Sequence, residues 1–298
     1  MSCSADVKVV NALSIDVEDY FHATALSQSI PRSTWDATEH HVIANTNRLL
    51  NLLSDAETSA TFFVLGWVAE RYPSLVRDIQ RCGHEIACHG YSHKLIHEQS
   101  RRQFVEETAK AKEILEHITG ERVLGYRGAS FSITENTLWA LEEIAGLGFE
   151  YDSSIYPVYH DCYGIPGAPA CIHIRDFNGG QIVEMPPGVL QLGKVRVPMG
   201  GGGYFRLFPY PLTRLSISRA NSQSIPFIFY THPWEIDEQQ PRAKLPFIKG
   251  LRHYGNTSKV YGRLMRLLSE FRFASMWTVL GNFAPSMLQG KRIGRSVA

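Results

Sequence analysis

Residues 7–19 read VKVVNALSIDVED, an apolar run that ends in three acidic residues within four positions. A short apolar run with polar ends is typical of a strand that is buried on both faces. A second run of this kind covers residues 59–65 and ends at Gly66. We therefore predict that residues 7–15 and 59–65 form buried strands.

Strand-like and helix-like segments alternate along the rest of the chain. Short apolar segments cover residues 84–88, 123–126, 182–185 and 226–230, and helical patterns cover residues 67–83, 101–120, 134–148 and 258–271. This alternation is typical of a parallel sheet covered by helices. Residues 156–169 are rich in Pro, Gly and Tyr, and residues 198–204 contain four consecutive glycines. We predict that both segments are loops over one face of a barrel.

Length and charge limit the possible classes of protein. The 298 residues are 44% hydrophobic, which allows a large core, and no linker or repeat divides them. We predict one domain over residues 1–298, with a helical extension at residues 240–298. The 30 basic and 29 acidic residues give a net charge of +1. Such a balance creates no overall attraction to nucleic acid or an anionic membrane and suits a neutral sugar substrate.

The cysteines and the N-terminus predict where the protein resides. The five cysteines form no CxxC pair and are odd in number, which favours a reducing compartment over a disulfide framework. The first residues lack the pattern of a signal peptide, and no apolar run reaches the roughly 18 residues of a membrane span. We therefore expect a cytoplasmic protein without a membrane span.

Four groups of polar residues follow the ends of predicted strands. They are Asp16 with Glu18 and Asp19, His89 with His93, Arg127, and His232. The carboxyl ends of parallel barrel strands converge on one face, so these distant residues can meet there.

Two histidines four positions apart can bind one metal ion if their segment makes a helical turn after the strand. His89 and His93 have this spacing, and so do His93 and His97. We favour His89 with His93, because they lie directly at a strand end, and interpret His97 as a solvated or capping residue.

The remaining groups supply complementary chemistry. One acid of the first group can complete a metal site while another stays free as a base. Arg127 can hold a carboxylate through bidentate hydrogen bonds, or form a surface ion pair. His232 follows an apolar run and is a candidate acid or base.

In this order, the groups resemble the NodB-homology polysaccharide deacetylases, also called carbohydrate esterase family four, over residues 9–235. The resemblance implies a deformed, TIM-barrel-like (β/α) barrel of α/β class, with Asp16 as the base. Two adjacent aspartates are usual in that family, whereas here Val17 follows Asp16. The metal-binding acid is then Glu18 or Asp19, beside His89 and His93. We favour Glu18, which has the same strand parity as Asp16.

The resemblance also assigns the other residues. His232 would be the acid, Arg127 would support the base, and Ser130 and Trp234 are candidates for substrate binding. Asp152 is a further candidate, near the family motif that can tune the acid histidine, and a structural role in the loop is an equal alternative. The customary proline and tyrosine after the arginine are replaced by Ala129 and Ser130. The strings DVEDYF, YDSS, PMGGGGYFR and YTHPWE resemble a narrower branch, the deacetylases found beside bacterial exopolysaccharide and exosortase systems.

The implied activity is metal-dependent N-deacetylation of an N-acetylated sugar or exopolysaccharide, with release of acetate. The implied cofactor is a divalent metal, usually zinc. Two alternatives are a barrel amidase acting on a small cyclic amide or formamide, and a noncatalytic carbohydrate-binding protein.

Overall fold

The computed structural model describes residues 9–160 and 163–288. Its strands are β1 (Val10–Val17), β2 (Thr61–Val64), β3 (Glu85–Cys88), β4 (Gly125–Tyr126), β5 (Tyr151–Asp152), β6 (His173–Phe177), β7 (Gly180–Glu184), β8 (Val189–Leu192), β9 (Val195–Pro198), β10 (Ile228–Thr231) and β11 (Arg272–Ala274). Its α-helices are α1 (Val42–Asp55), α2 (Gly66–Arg71), α3 (Pro73–Arg81), α4 (Arg101–Thr119), α5 (Trp139–Gly146), α6 (Gly202–Leu207), α7 (Tyr210–Asn221), α8 (Phe247–Tyr254), α9 (Thr257–Glu270) and α10 (Met276–Phe283).

Strand β1 lies inside the main sheet, and seven of its eight residues are buried. It pairs in parallel with β2 on one side, and with β10 and β11 along its other edge. A strand with neighbours on both edges and helices on its faces needs apolar residues in nearly every position. In the segment VNALSIDV the residues before Asp16 are apolar except Asn11 and Ser14, whose buried side chains form hydrogen bonds with the backbone of β10 and the segment before it.

The main sheet has the order β10-β1-β2-β3-β4-β5-β7-β6, and β8 and β9 form a separate antiparallel hairpin. All pairs from β10 to β7 are parallel, and only the last pair, β7 with β6, is antiparallel. The predicted α/β fold, a deformed TIM-barrel-like barrel, is confirmed. Within the described residues no strand pairing joins β6 to β10, so the barrel is open there.

Several predicted boundaries are wrong for identifiable reasons. The predicted helix 67–83 is two helices, because Pro73 lacks the N–H that would continue α2 and instead begins α3. The predicted helix 134–148 begins with a 3₁₀ turn at Glu135–Thr137, and α5 is shorter than expected. The extension at residues 240–298 is not helical throughout, since β11 pairs with β1. Residues 289–298 lie outside the described part.

The glycine run allows one close approach between backbones. Gly201 has φ +140°, and its backbone forms an isolated parallel bridge with Tyr230 at the end of β10. A Cβ on Gly201 would overlap the carbonyl oxygen of Tyr230. The predicted loop 198–204 is therefore only partly a loop, because Gly202 already begins α6 against β10.

No helix in the described residues is both long and apolar enough to cross a bilayer. Cys82, Cys88 and Cys171 are free thiols, whereas Cys3 and Cys162 lie outside the described residues.

Candidate active site

The carboxyl ends of the strands border a cavity of about 490 Å³. Asp16 and Glu18 reach it from the end of β1, and His232 reaches it directly after β10. His93 also lines it, from the segment that follows β3. The parallel sheet therefore brings residues together that are more than 200 positions apart.

Glu18, His89 and His93 form a buried cluster. One carboxylate oxygen, Oε1 of Glu18, lies 2.9 Å from Nε2 of His89 and 3.0 Å from Nε2 of His93. These three residues have the ligand atoms that a divalent metal ion requires in close proximity. Burial would raise the pKa of Glu18, but the charges of His93 and His232 and two histidine hydrogen bonds hold this pKa well below its usual value.

The hydrogen bonding of His89 indicates that a cation fits this cluster. Nδ1 of His89 lies 2.8 Å from the carbonyl oxygen of Arg127, an acceptor that needs a proton on Nδ1. With a proton on Nδ1, Nε2 of His89 faces Oε1 of Glu18 at 2.9 Å, and a positive charge between these two atoms, a proton or a metal ion, stabilises the contact. A backbone carbonyl that orients a ligand histidine in this way is typical of metal sites.

The two histidines converge without the helical turn that their spacing suggested. The segment after β3 bends at Gly90, with φ +73°, and His93 itself has φ +50°. The Arg32 guanidinium holds this bend by donating to the carbonyl oxygens of Ser92, at 2.9 Å, and His93, at 3.0 Å. The expectation of a helical turn is therefore wrong, and a strained bend gives the same convergence.

Asp19, the alternative acid of the first group, lies outside this cluster. Its Oδ1 accepts from the N–H of Tyr20, at 2.9 Å, and its Oδ2 accepts from the N–H groups of His41, at 2.7 Å, and Val42, at 2.9 Å. The side chain thus connects the end of β1 to the start of α1. Both carboxylate oxygens of Asp19 therefore accept hydrogen bonds from backbone N–H groups, and Asp19 has a structural role in this conformation.

Asp16 is held by a fully buried arginine. Nη1 of Arg127 donates to Oδ1 of Asp16 at 2.6 Å and to Oγ of Ser14 at 2.8 Å. Its Nη2 donates instead to Oγ of Ser153 at 2.9 Å. The expected bidentate pair is therefore wrong, because the second amino group of the guanidinium binds Ser153, the residue directly after β5. Arg127 positions the carboxylate and does not itself line the cavity.

His232 has two acidic neighbours. Its Nε2 lies 3.7 Å from Oδ2 of Asp16, and its Nδ1 lies 3.2 Å from Oε2 of Glu235. Burial would lower the pKa of His232, but the charges of Glu18, Glu235 and Asp16 together raise it to about 9. The imidazole is therefore protonated at neutral pH.

Glu235 and Arg206 were missed from the sequence. Nε of Arg206 donates to Oε1 of Glu235 at 2.7 Å, and both side chains are at most 2% exposed. Burial would raise the pKa of Glu235, but Arg206 and His232 lower it to about 2. The sequence THPWE could have predicted this contact, because an acid three residues after His232 has the spacing of a capping box. In that motif the acid accepts a hydrogen bond from the backbone N–H of the first residue.

The three predicted substrate-binding residues have different positions. Ser130 and Trp234 line the cavity, and the Trp234 ring stacks on His232 at 5.1 Å. Asp152 is fully buried and accepts from the N–H and Oγ of Ser154, at 2.9 and 2.6 Å. Asp152 does not line the cavity, and its contacts agree with the alternative of a structural role. Through Ser154, which binds the N–H of Gly128, it supports the loop that contains Ser130.

Comparison with known proteins agrees with this geometry. The family model described as polysaccharide deacetylase matches residues 32–149, which include His89, His93 and Arg127. Residues 32–149 are thus similar to the polysaccharide deacetylase family. A model described as a domain of unknown function (DUF3473) matches residues 153–281, which include Arg206, His232 and Glu235.

One curated relative and two solved structures illustrate the likeness. The peptidoglycan-N-acetylglucosamine deacetylase of Bacillus cereus is 34% identical over 99 residues, 33% of this chain, and the match spans only 36% of that relative. A Mycobacterium smegmatis structure described as a polysaccharide deacetylase has 17% identity and a TM-score of 0.64, covering 98% of this chain and 94% of that one. PuuE allantoinase has 14% identity and a TM-score of 0.60, covering 95% and 93%. Both structural likenesses concern the fold alone.

Proposed function

We propose that this protein is a metal-dependent N-deacetylase that hydrolyses acetamido groups of an N-acetylated sugar or exopolysaccharide and releases acetate. The observation that carries the proposal is one cavity that combines the Glu18, His89 and His93 cluster with a held carboxylate, Asp16, and a protonated imidazole, His232. This set contains separate groups for binding a metal, removing a proton and donating a proton.

Glu18, His89 and His93 would hold the metal ion, most often zinc for two imidazoles and one carboxylate. When bound, such an ion supplies Lewis-acid polarisation of the amide carbonyl and makes water easier to deprotonate. Asp19 would keep its role at the start of α1.

Asp16 would act as the base. Arg127 holds Oδ1, which leaves Oδ2 toward the cavity and 3.7 Å from His232. A carboxylate fixed through one oxygen can accept the proton of the attacking water through the other without first having to reorient. The N–H groups near Ser130 would support the oxyanion of the tetrahedral state.

His232 would act as the acid. An amide nitrogen leaves as a neutral amine only if it receives a proton, and Nε2 of the protonated His232 lies in the cavity, 3.7 Å from Oδ2 of Asp16. Glu235 would keep this imidazole charged and oriented through Nδ1. Arg206 in turn would fix Glu235.

The cavity walls fit a saccharide. Aromatic rings of Phe131, Tyr159, Tyr230 and Trp234 line it, and such rings have apolar faces on which the C–H faces of a sugar can pack. We further propose a single domain, because β5 and β7 continue one sheet across the boundary of the two family matches. The three free thiols support the proposed location in the cytoplasm.

The decisive experiment measures bound metal and acetate release from N-acetylglucosamine oligomers with the same purified protein. We expect His93→Ala to lose both metal and activity, and Asp16→Asn to retain metal but lose activity. His97→Ala is the matched control, since His97 is exposed and has the same spacing from His93 as His89. Release that persists in Asp16→Asn, or a metal-free active protein, contradicts the proposal. Bound metal without release from any N-acetylated oligomer indicates a different amide or a noncatalytic protein.

A further inference from the structure

Helix α8 exposes an unusual apolar surface. Phe247, Ile248 and Leu251 are 84%, 64% and 52% exposed. Their positions i, i+1 and i+4 place them on one side of the helix, and His253 on the opposite side is buried. We call these three residues the apolar face of α8. Large side chains clustered and exposed in this way mark a surface that contacts something else.

The apolar face lies within a basic region. Residues 239–269 contain seven Lys and Arg and no Asp or Glu, although the whole chain has a net charge of only +1. Arg263 and Arg266 are engaged by backbone carbonyls and by Glu270. In the described residues no carboxylate forms an ion pair with Lys244, Lys249 or Arg252. Although the total charge is near neutral, the surface beside the apolar face is therefore locally positive.

The protein holds α8 rigidly at the edge of the cavity. The buried Arg206 donates to the carbonyl oxygens of Arg252, at 2.8 Å, and His253, at 2.6 Å. The His253 ring stacks on Trp234 at 4.6 Å, and both His253 and Arg252 are among the residues that border the cavity. The side of α8 that contains His253 is thus held by the protein, and the apolar face points outward beside the cavity entrance.

We propose that the apolar face of α8 docks on an anionic lipid surface. Phe247, Ile248 and Leu251 insert at the boundary between headgroups and acyl chains, and Lys244, Lys249 and Arg252 contact anionic headgroups. This combination of apolar residues with flanking basic residues fits an anionic membrane better than the other possible occupants. Nucleic acid offers no apolar layer, and a symmetric contact with a second copy would bring the same basic residues together. Docking brings the cavity entrance to the lipid surface.

Sedimentation of the full chain with vesicles tests this inference independently of the proposed function. We expect binding to vesicles of phosphatidylcholine with one quarter phosphatidylglycerol, and at least about 10-fold weaker binding to phosphatidylcholine alone. Phe247→Ser/Leu251→Ser and Lys244→Gln/Lys249→Gln should each weaken binding at least about 10-fold. Leu212→Ser/Leu215→Ser on α7 and Lys194→Gln/Arg219→Gln are the matched controls, since these residues are also exposed.

Equal sedimentation of the α8 variants and their controls overturns the proposal, as does equal binding to both kinds of vesicle. A dimer in solution that Phe247→Ser/Leu251→Ser dissociates, without vesicle binding by the wild type, assigns the surface to self-association instead. Acetate release from soluble oligomers should be unchanged in Phe247→Ser/Leu251→Ser. A failure of vesicle binding is therefore distinguishable from a failure of the deacetylase proposal.

Discussion

The charge on His232 is set by the carboxylates around it. Glu235 is the one that contacts Nδ1, and it is itself held by Arg206. A neighbouring negative charge raises the pKa of an imidazole because it stabilises the protonated form. The protonated form is present below the pKa and is lost as pH rises through it. Without a bound metal ion an acid at Nε2 therefore remains available up to a pH near 9, and a metal ion on Glu18 would offset part of this shift.

Glu235→Gln should consequently narrow the pH range of activity. Removal of the negative charge lowers the pKa of His232, so the basic limb of the kcat profile moves to lower pH, by about one unit. Metal content should stay unchanged. Glu238→Gln, at an exposed position nearby, is the control. A basic limb that stays in place in Glu235→Gln would show that His232 is not the titrating acid.

The buried pair of Arg127 and Asp16 should couple strongly in stability. Arg127→Met leaves the Asp16 charge buried without a partner and is expected to lower the free energy of unfolding by about 3–5 kcal/mol. Asp16→Asn/Arg127→Met should be less destabilised than the sum of the single variants. Urea unfolding of the four proteins measures this difference. Additivity within about 0.5 kcal/mol would mean that the two side chains do not interact appreciably.

Among the elements, the junction of α6 and β10 has its closest approach at Gly201, where a Cβ would lie 1.8 Å from the Tyr230 carbonyl oxygen. Gly201→Ala should destabilise the protein by about 2–4 kcal/mol, because its φ of +140° disfavours any Cβ and Tyr230 occupies the space. Gly262→Ala is the opposite case, since Gly262 lies within α9 and a Cβ there meets nothing within 4 Å. That substitution should stabilise by about 0.5–1 kcal/mol. Thermal unfolding of both variants checks the contrast, and equal effects would contradict it.

The strands and helices also show which features of the fold and the site the sequence could predict. Apolar runs predicted the strands, and the rule that parallel strands share one end predicted that Asp16, His89 and His232 approach each other. The convergence of His89 with His93 depends on a left-handed bend, which spacing alone does not reveal. The burial of Asp152 depends on β7 packing beside β5, a contact between segments about 30 residues apart. Local patterns contain no information about such partners.

For the whole molecule, metal binding and folding should be linked. A ligand that binds only the folded state stabilises it, by about 2.7 kcal/mol at a concentration one hundred times its dissociation constant. Chelation with EDTA is therefore expected to lower the midpoint of thermal unfolding of the purified protein. His93→Ala should show no such shift. If the wild type unfolds at the same temperature with and without chelator, the cluster of Glu18, His89 and His93 does not hold a stabilising metal.

The pairing of β1 with β10 and β11 has a consequence for synthesis on the ribosome. Asp16 is translated more than 200 residues before β10 and β11, and the edge of β1 stays uncovered until residues up to Ala274 have emerged. At about 5–20 residues per second, that interval lasts roughly 10–50 s. Throughout this time the nascent chain presents an unpaired apolar strand edge, which is a binding site for chaperones and a risk for aggregation. Catalytic competence is thus acquired late, only after β10 and β11 have left the exit tunnel.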